Sequence, residues 1–100
     1  MRQERSEFDY EGFDWDERNI RKNESKHGAR YKECEEIFFN KPLIIFKDTA
    51  HSQKEERFAA LGKTNLGRKL ALSFCIRQNK IRVISARDQD KKERKFFACY

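Results

Sequence analysis

Two adjacent stretches, Lys69-Leu-Ala-Leu-Ser-Phe-Cys-Ile-Arg77 and Lys80-Ile-Arg-Val-Ile-Ser-Ala-Arg87, decide the fold of this chain. Both are rich in strand-forming residues, and only a turn of two or three residues separates them, so they predict a β-hairpin. In the first strand, large apolar residues alternate with a second set, Ala71, Ser73, Cys75 and Arg77. The large residues are predicted to face the core, and the small, polar face is suited to the floor of a groove.

Further elements are predicted on both sides of this hairpin. Alternating aromatic residues predict a short strand within 8–15, bent at Gly12. Asp16 is predicted to cap a helix that ends at Gly28, and a second amphipathic helix is predicted over Tyr31–Phe39.

The C-terminal part adds two strands before the hairpin and one helix after it. The strands are Leu43–Phe46 and Arg57–Gly62, with a polar loop over Asp48–Glu56 between them. Asp90 and Glu93 form a predicted capping box for the last helix. The predicted class is α+β: an antiparallel or mixed sheet of about five strands, two N-terminal helices and one C-terminal helix, with the helices on one face. Residues 1–100 are predicted to form one domain, with residues 1–7 flexible.

Positive charge is concentrated in the second half of the chain. Residues 1–50 contain 10 Lys and Arg against 12 Asp and Glu, a balance of −2. Residues 51–100 contain 13 against 5, a balance of +8. This segregation favours an anionic partner such as RNA, although a merely soluble basic surface is the alternative.

Cysteine usage and hydropathy argue against metal sites and membrane spans. Cys34, Cys75 and Cys99 are far apart, and only His27 and His51 are available to complete a ligand set, so no zinc site and no cofactor are predicted. The longest apolar run, 43–46, is far below the roughly 18 residues that a membrane span needs. Residues 1–7 also lack the apolar stretch of a secretory signal, which predicts a cytoplasmic protein.

An ordered set of short segments over residues 13–97 resembles the BrnT family of bacterial type II toxins. The matching segments are Phe13-Asp-Trp-Asp16, Lys26-His-Gly28, Glu36-Ile-Phe38, Asp48 with His51-Ser52, Glu55-Glu-Arg57, Gly62, Gly67-Arg68, Ile81-Arg-Val-Ile-Ser-Ala-Arg87 and Glu93-Arg94. The N-terminal dozen residues depart from the family pattern, as does Phe96-Phe97, near where many members have a tyrosine. The resemblance implies a RelE-like ribonuclease fold and a toxin that degrades RNA and so arrests growth. It also implies a BrnA-like antitoxin with a ribbon-helix-helix DNA-binding part, and a complex that represses its own operon.

Arginine is the residue type best suited to metal-free cleavage of a phosphodiester, because guanidinium groups bind phosphate and stabilise the charge of the transition state. The candidates for this role are Arg57, Arg82 and Arg87. On a regular strand, residues 82 and 87 face opposite sides unless a bend intervenes. His51, in a polar loop with Asp48, is the candidate acid or base.

A second set of cations is predicted to bind the RNA, and one of them, Arg77, is also a fourth candidate for phosphate binding and charge stabilisation because it lies on the small, polar face of its strand. This set comprises Arg77, Lys26, Arg68 and Lys80. Each candidate has a structural alternative: a surface ion pair for an arginine, a solvated helix end for Lys26, and a loop-stabilising hydrogen bond for His51. Trp15 is predicted to pack at the strand–helix junction, with base stacking as the alternative.

Two functions are compatible with this sequence. The leading one is a metal-independent endoribonuclease toxin whose RNA substrate and antitoxin compete for one basic surface. Operator DNA would be contacted only through the antitoxin, and symmetry predicts a two-plus-two complex. The alternative is a non-catalytic RNA-binding or antitoxin-interaction module.

Overall fold

Four antiparallel strands and three helices build the protein, as seen in a computed structural model that describes residues 10–51 and 54–100, apart from the side chains of His27 and His51. The elements are α1 Glu17–His27, α2 Tyr31–Ile37, β1 Ile44–Lys47, a 3-10 turn Thr49–His51, β2 Phe58–Lys63, β3 Lys69–Arg77, β4 Lys80–Asp88 and α3 Lys91–Phe97. The strands lie in the sheet in chain order, β1-β2-β3-β4. None of the described helices is long and apolar enough to cross a membrane.

The hairpin of β3 and β4 has the predicted boundaries to within one residue. Gln78 and Asn79 connect the strands with φ of 51° and 65°. Two consecutive residues in the left-handed region match the twist of a two-residue hairpin turn. The turn therefore fixes the register of the hairpin.

Local capping residues set the ends of α1 and α3 as predicted. The Asp16 side chain accepts a hydrogen bond from the Asn19 backbone N–H at 2.7 Å, and Gly28 ends α1 with φ of 64°. At α3, Asp90 and Glu93 each accept a hydrogen bond from the other's backbone N–H, at 2.8 and 2.9 Å. Both caps satisfy backbone donors that a helix leaves unpaired at its first turn.

The three helices cover both faces of the sheet, so the prediction of helices on one face is wrong. Cys34 and Ile37 of α2 join a buried cluster with large residues of the sheet such as Phe74 and Val83. Phe97 of α3 instead packs with a second cluster, Ile44, Leu61 and Ala71. These three residues are register partners in β1, β2 and β3, and they form an apolar row on the other face that α3 shields from water.

A fifth strand is not present among the described residues, which corrects the prediction of about five. Within the predicted strand over 8–15, only Phe13 forms a bridge, a single parallel one with Ile81. Gly12, with φ of 147°, interrupts the extended backbone just before it. The part of this prediction on residues 8 and 9, and the predicted flexibility of residues 1–7, lie outside the described residues.

Candidate functional site

A β-bulge in β4 decides which arginines share a face of the sheet. Ser73 of β3 pairs with Ser85, but the next residue, Phe74, pairs with Val83. Ile84 therefore has no register partner in β3 and is the extra residue of the bulge. An extra residue in one strand reverses the alternation of side chains beyond it.

Because of this bulge, Arg82 and Arg87 lie on the same face. Arg82 pairs with Cys75, and Arg87 pairs with Ala71. Register partners point to the same side of a sheet, and both partners belong to the small, polar face of β3. The expectation from a regular strand, that the two arginines face opposite sides, does not hold because a bend intervenes.

A groove with a volume of about 470 Å³ opens above this face. Its floor contains the small residues Ala59, Ala71, Ser73 and Ser85. Longer side chains surround the floor: Phe46, Asp48, Arg87, Lys92, Glu93 and Phe96. The predicted groove floor is therefore confirmed for Ala71 and Ser73.

Arg87 is held at the groove by Glu93 of α3. Its Nη1 and Nη2 donate to Oε1 and Oε2 of Glu93 at 2.7 and 2.9 Å, and Nη1 also donates to the Asp88 carbonyl at 3.2 Å. The hydrogen bond from Arg87 lowers the pKa of Glu93, so this carboxylate is charged at neutral pH. These contacts use three of the five N–H donors that a guanidinium carries. The pair fixes the orientation of Arg87 while leaving donor capacity for a ligand.

Arg82 is held by the segment that caps α1. Its Nη2 donates to Asp16 Oδ2 at 2.7 Å, and Asp14 Oδ1 lies 3.6 Å from its Nη1. The hydrogen bond from Arg82 lowers the pKa of Asp16. The Arg82 side chain is 20% exposed, against 49% for Arg77 and 45% for Arg87, so it is constrained more than these two cations.

Two of the remaining candidates, Arg77 and Lys80, lie beside Arg82 at the hairpin turn. Arg77 donates to Glu55 at 2.7 and 3.3 Å, and Lys80 is its register partner. Arg57 is half-buried immediately before β2, where its carbonyl accepts a hydrogen bond from the Asp48 N–H at 2.7 Å. His51 ends the 3-10 turn that follows Asp48, and its side chain lies outside the described residues.

Two predicted RNA contacts lie away from the groove. Arg68 donates to Asp88 at 2.7 Å, to Glu33 at 3.1 Å and to the Gly28 carbonyl at 3.0 Å, which fastens the start of β3 to the end of α1 and the first turn of α2. Lys26 is exposed near the end of α1, a helix that contacts β4 and α2. The structure thus places Arg77, Lys80, Arg82 and Arg87 on one face of the sheet, with Arg87 apart from the other three, and these two away from the groove.

Several groove residues were missed by reasoning from the sequence. Glu93 was recognised only as a cap, Phe46 and Phe96 only as apolar residues, and Ser85 and Lys92 were not singled out. The capping-box spacing was the available signal for Glu93, since a cap at the start of α3 lies next to the end of β4. Trp15 takes the predicted packing role: its Nε1 donates to Glu35 Oε2 at 2.8 Å, and its ring contacts Tyr31 edge-on.

The ion pair of Arg87 and Glu93 predicts a pH dependence of stability. The pKa of Glu93 is lowered from 4.5 in the folded state, so its contribution is present above this value and is lost as the pH falls below it. We expect the melting temperature of the wild type to drop more steeply between about pH 5 and pH 3 than that of Glu93→Gln. Thermal denaturation followed by circular dichroism measures both. Equal slopes for the two proteins would contradict this assignment.

The bulged hairpin, the arginine-bearing face and the groove define a class of small α+β protein with a basic groove on one face of its sheet. Comparison with known proteins identifies the family. Residues 15–93 match the model of the family described as the ribonuclease toxin BrnT of type II toxin–antitoxin systems. The chain belongs to this BrnT family. Membership of a family of type II ribonuclease toxins implies that its target is RNA and that its partner is an antitoxin.

A solved structure agrees with the assignment at the level of the fold. The crystal structure of the Brucella abortus ribonuclease toxin BrnT, at 1.1 Å resolution, is similar with a TM-score of 0.59 and 24% sequence identity. The match covers 80% of this chain and 97% of the Brucella chain. A comparison with curated proteins finds no significant match.

Proposed function

We propose that this protein is a metal-independent endoribonuclease with a RelE-like mode of action, which binds RNA in the groove and cleaves it by attack of a 2′-OH. The observation that carries the proposal is the bulge at Ile84, because it places Arg82 and Arg87 on one face beside a floor of small residues. Guanidinium groups on a preformed surface stabilise the charge that develops on a phosphorane-like transition state.

In this mechanism the 2′-oxygen attacks the adjacent phosphorus and the bond from phosphorus to the 5′-oxygen breaks. A base removes the 2′-OH proton, and an acid protonates the departing 5′-oxygen. The products are a cyclic phosphate and a free 5′-OH, so DNA is inert. We assign the acid–base role to His51, and phosphate binding and charge stabilisation to Arg57, Arg82 and Arg87.

The arginines of this face form two groups along the sheet. Arg82 and Arg87 pair with residues of β3 that are four positions apart, a separation of about 13 Å at roughly 3.3 Å per residue. We place the scissile phosphate at Arg87, because Arg87 borders the groove and keeps donors beyond those bound to Glu93. Arg82, with Arg77 and Lys80 beside it, then contacts another phosphate of the same extended strand.

The antitoxin is proposed to cover the same basic face. A balance of +8 in residues 51–100 favours a partner that presents carboxylates, since complementary charge speeds association. We propose a ribbon-helix-helix antitoxin whose dimer brings two copies of this chain into a two-plus-two complex, which binds operator DNA only through the antitoxin and represses its own operon. The mass of the co-expressed complex in solution tests this stoichiometry.

Chelation separates the metal-independent mechanism from a metal-dependent one. The described parts of the chain hold no cluster of three or more His, Cys, Asp or Glu side chains placed to bind a metal ion. We expect the purified protein to cleave single-stranded RNA in EDTA at the rate measured without it, and to leave DNA of the same sequence intact. Gel analysis of end-labelled oligonucleotides measures both. Activity lost in EDTA and restored by a divalent ion would refute metal independence, and RNA bound but left intact would favour the non-catalytic alternative.

A further inference from the structure

Three exposed aromatic side chains stand next to one another at the groove. Phe46 of β1, Phe96 of α3 and Tyr100 are 41%, 42% and 58% exposed. Their ring centroids are 5.7 Å apart for Phe46 and Phe96, and 5.3 Å apart for Phe96 and Tyr100. We name these three side chains the aromatic wall.

α3 also packs on the sheet through a residue outside the aromatic wall. Phe97, which is 5% exposed, fills the contact with Ile44, Leu61 and Ala71. Phe96, the residue before it, remains on the groove side together with Phe46. Neighbouring exposed aromatic residues of this kind commonly mark a binding surface.

The groove presents the groups that a nucleotide requires. Phe46 and Phe96 offer aromatic surface, Arg87 and Lys92 offer positive charge, and Ser73 and Ser85 provide hydroxyl groups on the floor. The volume of about 470 Å³ lies within the range of roughly 300–1,000 Å³ that is typical of small-ligand pockets. An aromatic surface next to cations suits a base and its phosphate better than it suits a purely apolar ligand.

We propose that the aromatic wall is a stacking site for one unpaired base of single-stranded RNA, next to the phosphate at Arg87. This inference rests on the proposed function and adds the class of substrate. The rings of Phe46 and Phe96 are inclined by 41°, and those of Phe96 and Tyr100 by 59°, so a single base cannot lie flat on two of them. Phe96, the central ring, takes the stacking position. A base must leave a helical stack to bind there, which makes single-stranded RNA the substrate and duplex RNA a poor one.

The test measures the affinity of the full chain for a 2′-O-methyl RNA oligonucleotide of about eight nucleotides, a length that typical single-strand sites accommodate. The 2′-O-methyl groups prevent cleavage during the measurement because they block attack by the 2′-OH. Fluorescence anisotropy gives the dissociation constant. Phe96→Ala is expected to weaken binding by about 5- to 100-fold, as for loss of one stacked base, and Phe96→Trp to retain it. Phe96→Leu keeps the apolar bulk but removes the ring, so it should bind as weakly as Phe96→Ala.

Two controls separate stacking from general effects. Phe39→Ala removes another exposed phenylalanine, at the end of α2, and should leave the affinity unchanged. In a set of oligonucleotides that each lack one base, the wild type should bind one member more weakly than the intact oligonucleotide. The Phe96→Ala variant should bind that member and the intact oligonucleotide with the same affinity.

The outcomes distinguish this inference from the proposed function. A wild type that binds no RNA overturns both. If the wild type binds RNA and the variants Phe96→Ala, Phe96→Leu and Phe46→Ala bind it with the same affinity, only the stacking site is overturned. If these variants then bind the antitoxin more weakly than the wild type does, the aromatic wall is assigned to the antitoxin. Circular dichroism of each variant shows whether the chain is folded, so that a loss of affinity is assigned to the aromatic wall only in a folded variant.

Discussion

Replacing Arg87 with alanine is expected to lower the rate of RNA cleavage by about 10²–10³-fold, which is the usual cost of removing one donor that stabilises a transition state. The fold should survive, because the Arg87 side chain is 45% exposed and an exposed ion pair contributes only about 0–1 kcal/mol to stability. Single-turnover cleavage of an RNA oligonucleotide measures the effect, and growth arrest on induction of each variant reports it in cells.

Matched variants test whether the effect belongs to the site. Arg87→Lys keeps the charge but loses the two-pronged hydrogen bonding, so its rate should lie closer to that of Arg87→Ala than to the wild type. Arg68→Ala removes an arginine that is also ion-paired but lies away from the groove, and it should reduce stability without changing the rate of the folded protein.

The other candidates have a defined order of expected effects. Arg57→Ala should abolish toxicity as Arg87→Ala does, and Arg82→Ala and His51→Ala should follow. Full toxicity of all four variants at equal expression would show that the reacting groups lie elsewhere.

A Gly62→Ala substitution is expected to destabilise the fold by about 1–3 kcal/mol, the usual cost of overpacking a core. A Cβ at position 62 would lie 2.8 Å from Cβ of Ile37 and 3.2 Å from its Cδ1. The nearest atom is a Cβ, which moves only with the backbone of α2, so a change of side-chain rotamer cannot relieve the contact. For a domain of this size, each kcal/mol lowers the melting temperature by roughly 4–8 °C.

Calorimetry or thermal denaturation of Gly62→Ala measures this effect. Leu66→Ala is a suitable control, because Leu66 is 98% exposed in the turn before β3 and should change stability little. A loss of stability of 1 kcal/mol would lower the melting temperature by roughly 4–8 °C. A melting temperature of Gly62→Ala within about 2 °C of that of the wild type would therefore show that α2 moves aside with little loss of stability.

The sequence predicted elements that are defined by local chemistry. The alternation in 69–77 and the caps at Asp16, Gly28 and Asp90 depend on residues close together in the chain, and the structure confirms them. The small-residue groove floor followed from the same alternation.

Features that depend on distant partners were not predictable in the same way. Nothing in Ile81-Arg-Val-Ile-Ser-Ala-Arg87 marks Ile84 as the bulge, because the skip is defined only against Ser73 and Phe74 of β3. The side on which α3 packs depends on the apolar row of Ile44, Leu61 and Ala71, and this row exists only once three strands are in register. Periodicity within α3 cannot reveal it.

The segment before α1 also determines how the sheet meets other chains. At the outer edge of β4, the N–H and C=O of Ile81 bond to the Gly12 carbonyl and the Asp14 N–H at 2.9 and 2.8 Å. The Asn19 side chain donates to the Val83 carbonyl at 2.7 Å. An exposed strand edge is a template for β-augmentation and for edge-to-edge aggregation. With these groups occupied, the outer edge of β4 is closed to an added strand over residues 81–83, so an extended peptide cannot lengthen the sheet along that part of the edge.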